Sequence, residues 1–440
     1  MNSRPLRILI VAVLLILFTC LGLRTACYGQ VESKYADAAR KIIVPDDFAR
    51  IQDAIDNATP GDTVYVKAGV YHEQLWINKS ISLIGQNETT TVLETSQYED
   101  TMTITADNVS VSGFTIRNTE NSPTFSLSYG VKLSHVNNTT ISDNTIMKNL
   151  EGVGIIGGSG NMIEYNWVAK NRYGIFVSNF SRNNVISHNY VSDSDWNGIE
   201  LDWVDGNVVC ANTIVNSTAY GLEIPIYAPS HNDIIFHNNF VHNVNTVVEG
   251  VTPYYQAYGP TPNSWDNGEE GNYWSDYNGT DANSDGVGDT PYLAIYGTAD
   301  HYPLMGNFSD FTVSGYAVTL VSDSLLAGSG FSLNGTVATL SMSIYQETNS
   351  TGFCRVSIPK GLIDDPYEVK LDGAVITPQV RELPSSDEAH ECLYFSFSQG
   401  KHSIEISATA VLPELALSTF LIFFMVTVLI MATLFHKRKH

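Results

Sequence analysis

One pattern recurs five times in the middle of the chain: GVKL at 130–133, GVGI at 152–155, GIFV at 174–177, GIEL at 198–201 and GLEI at 221–224. Asparagine recurs in phase with this pattern at spacings of 22, 23 and 23 residues, at Asn144, Asn166, Asn189 and Asn212. Each unit contains short alternating runs of apolar and polar residues between turns rich in Asn, Gly, Ser and Asp. Short strands that return at a fixed period indicate a solenoid. We therefore predict a right-handed parallel β-helix with one coil per repeat.

The repeats also predict the register of the coils. In a β-helix each coil hydrogen-bonds to the next one about 4.8 Å away, and alternate side chains point inward. The expected interior ladder comprises Val131, Val153, Ile175, Ile199 and Leu222. The repeated asparagines are expected to stack and bond their amides from turn to turn. A β-sandwich is the competing fold, but it gives no reason for two markers to stay in phase over five units.

The residues upstream of the repeats predict a short helix that covers the first coil. Its apolar face comprises Phe48, Ile51, Ala54, Ile55 and Ala58. Asp46 or Asp47 is expected to cap the first turn. Such a cover is expected because the first coil of a solenoid otherwise exposes its strand edges and core.

Composition and charge narrow the class of protein. The chain has 440 residues, 43% of them apolar and 16% charged, which is enough to bury a sizeable core. The formal net charge is -23, and no cluster of Lys and Arg occurs between residues 30 and 430. Phosphate binding requires such a cluster, so the sequence argues against a nucleic-acid partner.

Both ends of the chain predict an association with the membrane. Residues 1–29 combine Arg4 and Arg7 with a following apolar run, which is the layout of a cleaved signal peptide; an uncleaved signal anchor is the alternative. Residues 415–435 carry no charge over 21 residues, enough for a transmembrane helix, and the basic tail 436–440 is expected to stay in the cytoplasm. The expected location is therefore the cell membrane, with a single pass and an extracellular ectodomain.

Sequons and cysteines fit an exported protein. Twelve Asn-X-Ser/Thr sequons predict a glycoprotein. Cys210 lies in an apolar strand and is expected to be a small core residue. Cys354 and Cys392 either form one disulfide or remain two separate buried thiols.

Three stretches carry a family resemblance: DDFARIQDAIDNATPGDTVYVKAGVYHEQLWINKSISLIGQN at 46–87, GNYWSDYNGTDANSDGVGDTPY at 271–292 and DHYPLM at 300–305. The first resembles the opening of pectin-lyase-like β-helices, and the others resemble NosD-type proteins. The resemblance implies a β-helix over 41–306 and an association with copper-site assembly, although most members are surface proteins without an assigned role. Residues 311–409, with GFCRVSIPKGLI and DPYEVKLDG, resemble the β-rich, sandwich-like module that follows such helices in archaeal surface proteins.

One loop has the spacing of a calcium site. Its oxygen ligands, at loop positions one, three, five, seven and nine, would come from Asp281, Asn283, Asp285, the carbonyl of Val287 and Asp289. Tyr292 occupies the twelfth position instead of the usual glutamate, so a further carboxylate from Asp276 or Asp300 is expected. The alternative is a turn rich in Asp, Asn and Gly without an ion.

The repeats also place four acidic residues near one another. Glu200 and Glu223 occupy the same place in consecutive coils and should project outward about 5 Å apart. With Asp195 and Asp202 nearby, they are candidates for general acid and base on a polysaccharide, or for a calcium site. The alternative is a solvated acidic face, which the sequence favours because no catalytic signature of pectate lyases, polygalacturonases or pectin methylesterases is recognisable.

Aromatic residues at the turns are candidates for sugar contact. Tyr129, Tyr173 and Tyr220 precede the repeated glycine, and Trp196 lies just before Asn197-Gly198. A column of such rings can stack on sugars, whereas turn aromatics often pack on a neighbouring coil instead.

The sequence argues against a copper site. His231, His237 and His242 lie close in sequence, while His188 occupies the repeat place of His237 two coils away, about 10 Å. Ring nitrogens that far apart cannot share one ion at about 2 Å each. Three functions therefore remain open: a surface protein that binds carbohydrate or another partner or builds the envelope, a polysaccharide lyase, hydrolase or epimerase, and a metal-site assembly protein.

Overall fold

The computed structural model describes residues 39–95, 99–119, 128–243, 255–259, 262–295, 298–334, 337–346, 351–363, 366–381 and 390–408. The predicted signal peptide, transmembrane segment and basic tail lie outside these ranges. Among the described residues, no helix is long and apolar enough to cross a membrane.

The chain winds into a parallel β-helix, and each complete coil contributes one strand to each of three sheets, A, B and C. Numbered in chain order, sheet A contains β1 Lys41–Val44, β2 Thr63–Val66, β5 Ser82–Gly85, β8 Ser110–Ser112, β11 Thr140–Ser142, β14 Met162–Glu164, β17 Val185–Ser187, β20 Val208–Cys210 and β23 Ile234–Phe236. Sheet B contains β3 Gly69–Tyr71, β6 Thr91–Thr95, β9 Thr115–Asn118, β12 Thr145–Met147, β15 Trp167–Ala169, β18 Tyr190–Ser192, β21 Thr213–Val215, β24 Asn239–Val241 and β26 Tyr273–Trp274. Sheet C contains β4 Leu75–Ile77, β7 Met102–Ile104, β10 Tyr129–Ser134, β13 Glu151–Ile156, β16 Tyr173–Ser178, β19 Ile199–Leu201, β22 Leu222–Glu223 and β25 Ala257–Tyr258.

An antiparallel module follows the coils. The hairpin β27 Tyr292–Ile295 and β28 Thr298–Asp300 leads into two five-stranded sheets. The first contains β29 Asn307–Val313, β30 Tyr316–Ser322, β33 Gly352–Pro359, β37 His390–Phe397 and β36 Gln379–Arg381. The second contains β31 Leu325–Asn334, β32 Val337–Gln346, β38 Gly400–Ala408, β34 Tyr367–Leu371 and β35 Ala374–Ile376. Side chains of both sheets form one apolar core, which gives the module the predicted sandwich-like architecture.

The interior of the β-helix confirms the predicted register. Cα pairing joins successive members of one ladder in sheet C, namely Val131, Val153, Ile175, Ile199 and Leu222. All five side chains are fully buried, because side chains alternate between the two faces of a strand and these five point into the coil.

The repeated asparagines form the predicted ladder between sheets A and B. Each side-chain amide donates to the Oδ1 atom of the next asparagine at 2.9–3.1 Å, along Asn144, Asn166, Asn189, Asn212, Asn238 and Asn272. A second ladder that the sequence analysis missed lies between sheets C and A and comprises Asn161, Asn184, Asn207 and Asp233. Both ladders satisfy buried amides at corners where the sheet hydrogen bonds are interrupted.

The repeated glycine of each unit is required by close packing at the start of the sheet C strands. A Cβ atom on Gly152 would lie 2.5 Å from the carbonyl oxygen of Gly174 and 2.8 Å from Cγ1 of Val168. Any larger residue would therefore push the coils apart.

Asp233 replaces an asparagine in the second ladder, and this substitution makes the fold sensitive to pH. Its Oδ1 atom accepts hydrogen bonds from the backbone and side chain of Asn207, as an asparagine oxygen would. Its Oδ2 atom occupies the place of the missing amide and, within the described residues, has no hydrogen-bond partner. Burial raises the pKa of Asp233 to about 6, because the ionised form is desolvated.

We expect Asp233→Asn to stabilise the protein at pH 8. Because the folded state holds the proton more tightly, the contribution of Asp233 is fully present below its ordinary pKa of 3.8 and is lost as the pH rises through about 6. The loss is on the order of 2–3 kcal/mol, so the melting temperature of the variant should exceed that of the parent by several degrees at pH 8 and by little at pH 4. Asp195→Asn, which changes an exposed acid outside the second ladder, is the control; an equal gain at both pH values would contradict the account.

A short helix covers the first coil, as predicted, but its cap differs from the prediction. Helix α1 spans Ile51–Asn57 and buries Ile51, Ala54 and Ile55. The carboxylate of Glu73, not of Asp46 or Asp47, accepts the backbone N–H groups of Ile51 and Gln52 at 2.9 and 3.1 Å. Asp47 instead accepts the N–H of Ile43, and Asp46 pairs with Lys67. A long-range contact from Glu73 thus caps the helix in place of the expected local residue.

The cysteines select one of two alternatives left open by the sequence and correct one prediction. Cys354 and Cys392 are free, buried thiols rather than a disulfide. Strand pairing places Cys354 opposite Phe395 and Cys392 opposite Ser357, an offset of three residues that directs the two side chains to opposite faces of the sheet. Cys210 is half-buried on the outward side of β20, while its neighbour Val209 fills the interior.

Candidate functional site

The acidic residues of the repeats meet on the outward face of sheet C. Strand pairing places Glu200 of β19 directly beside Glu223 of β22, while Ile199 and Leu222 point inward. Neighbouring strands are about 4.8 Å apart, so the two carboxyl groups share one small region. Glu200 is buried, with 6% of its surface exposed, and Glu223 is half-buried.

One amide joins the two glutamates. The Nδ2 atom of Asn197 donates to Oε2 of Glu200 at 2.7 Å and to Oε2 of Glu223 at 2.5 Å. Asn197 lies in the turn that leads into β19, where its own Oδ1 accepts the backbone N–H of Tyr220 from the next coil. The turn therefore holds both carboxyl groups in fixed positions.

Burial changes the acidity of this cluster. It raises the pKa of Glu200 to about 8, with Asp202 and Glu223 adding to the rise and Asn197 opposing it. Burial also raises the pKa of Asp202 to about 6, while a hydrogen bond from Glu200 lowers it. Burial raises the pKa of Glu223 as well. Glu200 and Asp202 therefore titrate as a coupled pair, and their burial disfavours the state in which both are ionised.

Glu151 extends the cluster and was missed by the sequence analysis. It occupies the repeat place of Tyr129 and Tyr173, to which strand pairing joins it on either side. Burial raises the pKa of Glu151 to about 7, although a hydrogen bond with Tyr129 lowers it. The signal in the sequence was an acid at a place in the repeat that holds tyrosine in three of the other four units.

Two tyrosines lie beside the acids. Tyr227 is 71% exposed, and burial of its hydroxyl raises its pKa to about 12, with Glu200, Glu223 and Asp202 contributing. Tyr173 is half-buried and packs against Phe176 with ring centroids 6.3 Å apart. Tyr227 carries no marker of the repeat, so the sequence alone did not reveal it.

The predicted aromatic column is only partly present. Tyr129 is buried against Gly154, where a Cβ atom would lie 2.2 Å from its ring. Tyr220 packs on Tyr258 at 5.5 Å. Trp196 is 42% exposed. Of the four predicted residues, Tyr129 and Tyr173 both pair with Glu151 across neighbouring strands.

Asp195 stands apart from the acidic cluster. It is exposed in the turn before β19 and lies next to Trp196. Glu200, Asp202, Glu223 and Glu151 therefore define the candidate site, which we call the sheet C acidic face.

The predicted calcium loop is ordered by its own side chains. Asp281 accepts the N–H groups of Asp285 and Gly286 at 3.0 and 2.9 Å, and Asp285 accepts that of Val287 at 2.8 Å. Asn283 donates to Asp285 at 2.7 Å.

The remaining two ligands have different environments. Asp289 accepts hydrogen bonds from Thr280 and Ala282. Val287 pairs with Leu304, but the hydrogen bonds of that bridge run through the neighbours Gly286 and Gly288 and do not use the Val287 carbonyl.

The two carboxylates expected to complete the loop are engaged elsewhere. Asp276 accepts the Tyr292 hydroxyl at 3.0 Å. Asp300 is fully buried and accepts the indole N–H of Trp274 at 2.9 Å. Within the described residues, no three His, Cys, Asp or Glu side chains are grouped to hold a metal ion. Calcium binding at this loop, with its amide and carbonyl ligands, stays a prediction.

A buried ion-pair cluster joins this loop to the C-terminal module. Arg355 of β33 donates to Oε1 of Glu270 at 2.8 Å and to the carbonyl oxygen of Asp285 at 2.9 Å. His237 contacts the other oxygen of Glu270 at 2.8 Å. Burial opposes ionisation of Glu270, but Arg355 and His237 outweigh it and lower its pKa to about 2.

Two of the histidines considered as copper ligands, His188 and His237, contact separate carboxylates. His188 bonds Asp310 at 2.9 Å and His237 bonds Glu270 at 2.8 Å through the same ring nitrogen, Nε2. Two coils separate them, as the repeat predicts. Each of these two histidines bonds a different carboxylate through Nε2, so the pair does not fit a shared metal ion.

Comparison with known proteins places the fold in a family. The family described as periplasmic copper-binding protein (NosD) matches residues 55–279, about half of the chain. The chain belongs to the NosD family. This match confirms the resemblance that the sequence carried.

A cell surface glycoprotein of Methanothermus fervidus is 26% identical to this NosD-family chain over 212 residues, which are 40% of this chain and 34% of that protein. The chain therefore spans about a third of that relative. Together with the periplasmic family description, this relative indicates a surface-exposed protein.

Solved structures similar to the chain include three proteins whose names describe enzymes that act on polysaccharides. An alginate lyase from Paenibacillus sp. str. FPU-7 has a TM-score of 0.40 and 15% identity, over 54% of this chain and 98% of its own. The catalytic domain of GH87 alpha-1,3-glucanase has a TM-score of 0.37 and 13% identity, over 52% of each chain. Pectin methylesterase PemA from Erwinia chrysanthemi has a TM-score of 0.31 and 15% identity, over 52% of this chain and 80% of its own.

Proposed function

We propose that this NosD-family chain is a cell-surface β-helix that binds polysaccharide on the sheet C acidic face. The observation that carries the proposal is the pairing of Glu200 and Glu223 by one amide of Asn197, next to Asp202 and the exposed ring of Tyr227. Fixed carboxyl groups beside an aromatic ring match the hydroxyl groups and apolar faces of a sugar.

Binding to a glycan array tests this proposal. We expect the ectodomain to bind at least one polysaccharide class, and the double variant Glu200→Gln, Glu223→Gln to bind it at least about tenfold more weakly, since a difference of 1.4 kcal/mol is a factor of ten. Glu164→Gln, which changes an outward acid of sheet A, is the matched control. Absence of glycan binding, or equal loss in the control, would refute the proposal.

A second candidate is hydrolysis or another reaction on a polysaccharide at the same face. The observation in its favour is that the buried carboxyl groups of Glu200 and Asp202 hydrogen-bond each other and that burial raises the pKa of both. Such a pair suits a general acid beside a base. Release of reducing ends by the parent and not by Glu200→Gln would support it, and binding without any product would leave the binding function alone.

We also propose that the loop 281–289 binds calcium. In the absence of the ion, Asp281, Asp285 and Asp289 bring like charges together, and calcium would relieve their repulsion. Binding to the folded state adds RT ln(1 + [L]/Kd), about 2.7 kcal/mol at one hundred times Kd. The melting temperature should therefore rise with calcium.

Variants of the loop show whether the calcium-dependent rise in melting temperature comes from an ion bound at the loop. Asp285→Ala should remove most of it, whereas Asp195→Ala, an exposed acid outside the loop, should leave it intact. A calcium shift that survives Asp281→Ala combined with Asp285→Ala would place the ion elsewhere, with the sheet C acidic face as the next region to test.

Membrane anchoring by residues 415–435 completes the proposed arrangement. The uncharged stretch and the basic tail 436–440 support an orientation with the β-helix outside the cell. Protease added to intact cells should then remove the β-helix; full protection of that region would contradict the orientation.

A further inference from the structure

The sheet C acidic face has more hydrogen-bond acceptors than donors. Asn197 supplies one amide to Glu200 and Glu223, Tyr129 supplies a hydroxyl to Glu151, and Glu200 shares one hydrogen bond with Asp202. One oxygen of Glu151 and one of Asp202 remain buried without a partner within the described residues. Glu151 itself is 96% buried, since 4% of its surface is exposed. A buried acceptor without a donor is costly, so a ligand that supplies donors would be favoured here.

The charge around the face has the same sign as its acceptors. Lys132, the cation that acts on Glu151, is already paired with Asp100 at 3.3 Å. Arg172 lies over the ring of Tyr173, 5.8 Å from its centroid. Lys132 lies on the strand before that of Glu151, and Arg172 lies beside Tyr173, between the strands of Glu151 and Glu200. The four carboxyl groups outnumber these two cations, each of which already contacts a neighbouring side chain. An anionic ligand would add acceptors where acceptors are already in excess, and it would be repelled.

We propose that the ligand is a polysaccharide without carboxylate groups, whose hydroxyl or ammonium groups donate to Glu151, Glu200, Asp202 and Glu223. This inference rests on the proposed function of the face, and it names the substrate class. Neutral and amino-sugar chains supply donors in every residue, whereas polyuronates carry a carboxylate in every residue. The surplus of acceptors on the sheet C acidic face therefore favours neutral and amino-sugar chains over polyuronates without any steric clash.

The discrimination should follow the charge of the sugar. Three sets of oligosaccharides of equal length are compared on the ectodomain by calorimetry: neutral glucose oligomers, glucosamine oligomers and galacturonate oligomers, together with any array hit of each class. We expect the neutral or amino-sugar ligands to bind at least about tenfold more tightly than the best uronate, a factor that corresponds to 1.4 kcal/mol.

Matched charge variants separate the face from the net charge of the protein. Glu223→Lys places a cation on the face, whereas Glu164→Lys makes the same change of net charge on sheet A. Uronate binding should strengthen at least about tenfold in the first variant and change little in the second. Equal strengthening in both would show that the overall charge of -23 excludes uronates, and would overturn the inference.

The outcomes distinguish this inference from the function on which it rests. If the parent binds a uronate more tightly than every neutral or amino-sugar ligand, and Glu200→Gln weakens that binding, the face binds glycans but the proposed class is wrong. If no glycan of any class binds, the proposed function fails and the inference fails with it. Melting curves of each variant establish that a loss of binding is not a loss of folding.

Discussion

Ile175→Asp is expected to abolish folding of the β-helix. Ile175 is fully buried at the centre of the interior ladder, between Val153 and Ile199 on the adjacent coils. An aspartate there would be desolvated without a partner, at a cost of several kcal/mol, which is comparable with the total stability of many proteins. The variant should lack a cooperative thermal transition in circular dichroism.

Ser178→Asp is the control for this prediction. Ser178 ends the same strand, β16, but points outward and is half-buried. We expect its melting temperature to stay within a few degrees of the parent's, because a charge at this position remains hydrated. An Ile175→Asp variant as stable as Ser178→Asp would refute the register of the coils.

Asn189→Ala is expected to destabilise the protein by at least about 3 kcal/mol, because it leaves several buried groups without partners. The side chain of Asn189 accepts hydrogen bonds from the backbone and side chain of Asn166. It donates to Asn212 and to the carbonyl oxygens of Ile163 and Ser187. Denaturant unfolding measures the change.

Asn189→Asp separates the two roles of this side chain. The carboxylate keeps the acceptor toward Asn166 but loses the donors, unless it is protonated. We therefore expect Asn189→Asp to be less destabilising at pH 4 than at pH 8, in parallel with the behaviour of the native Asp233. Equal destabilisation at the two pH values would show that the donors of the ladder contribute little.

The fold was predictable because the sequence shows both the repeat of 22 to 24 residues and the alternation of apolar and polar residues within each strand. The repeated glycine and the asparagine ladder specify where each coil turns, and the alternation within each strand specifies which side chains point inward. The sequence therefore places Ile199 and Leu222 in the correct interior ladder, and Glu200 and Glu223 in adjacent positions on the outward face.

Long-range contacts were not predictable from the same patterns. The cap of α1 comes from Glu73, more than twenty residues away from the N–H groups it accepts, whereas local rules favoured Asp46 or Asp47. Cys354 and Cys392 lie on adjacent strands, but their offset depends on pairing that the sequence does not state.

The candidate site was predictable in part. Glu200, Asp202 and Glu223 follow from the repeat, because they occupy outward places of consecutive coils. Glu151 was missed because the sequence does not show that the residue before the repeated glycine points outward. Tyr227 reaches the acids from a turn whose path has no counterpart in the other repeats. The raised pKa values depend on burial, which the pattern of residues does not specify.

A crystal structure of the ectodomain with a bound oligosaccharide from the array tests the central claim most directly. We predict that the sugar lies on the sheet C acidic face, with hydroxyl or ammonium groups within hydrogen-bond distance of Glu200 and Glu223. A ligand bound instead at the exposed aromatic residues of sheet B, Trp167 and Tyr190, or on the C-terminal module would contradict it.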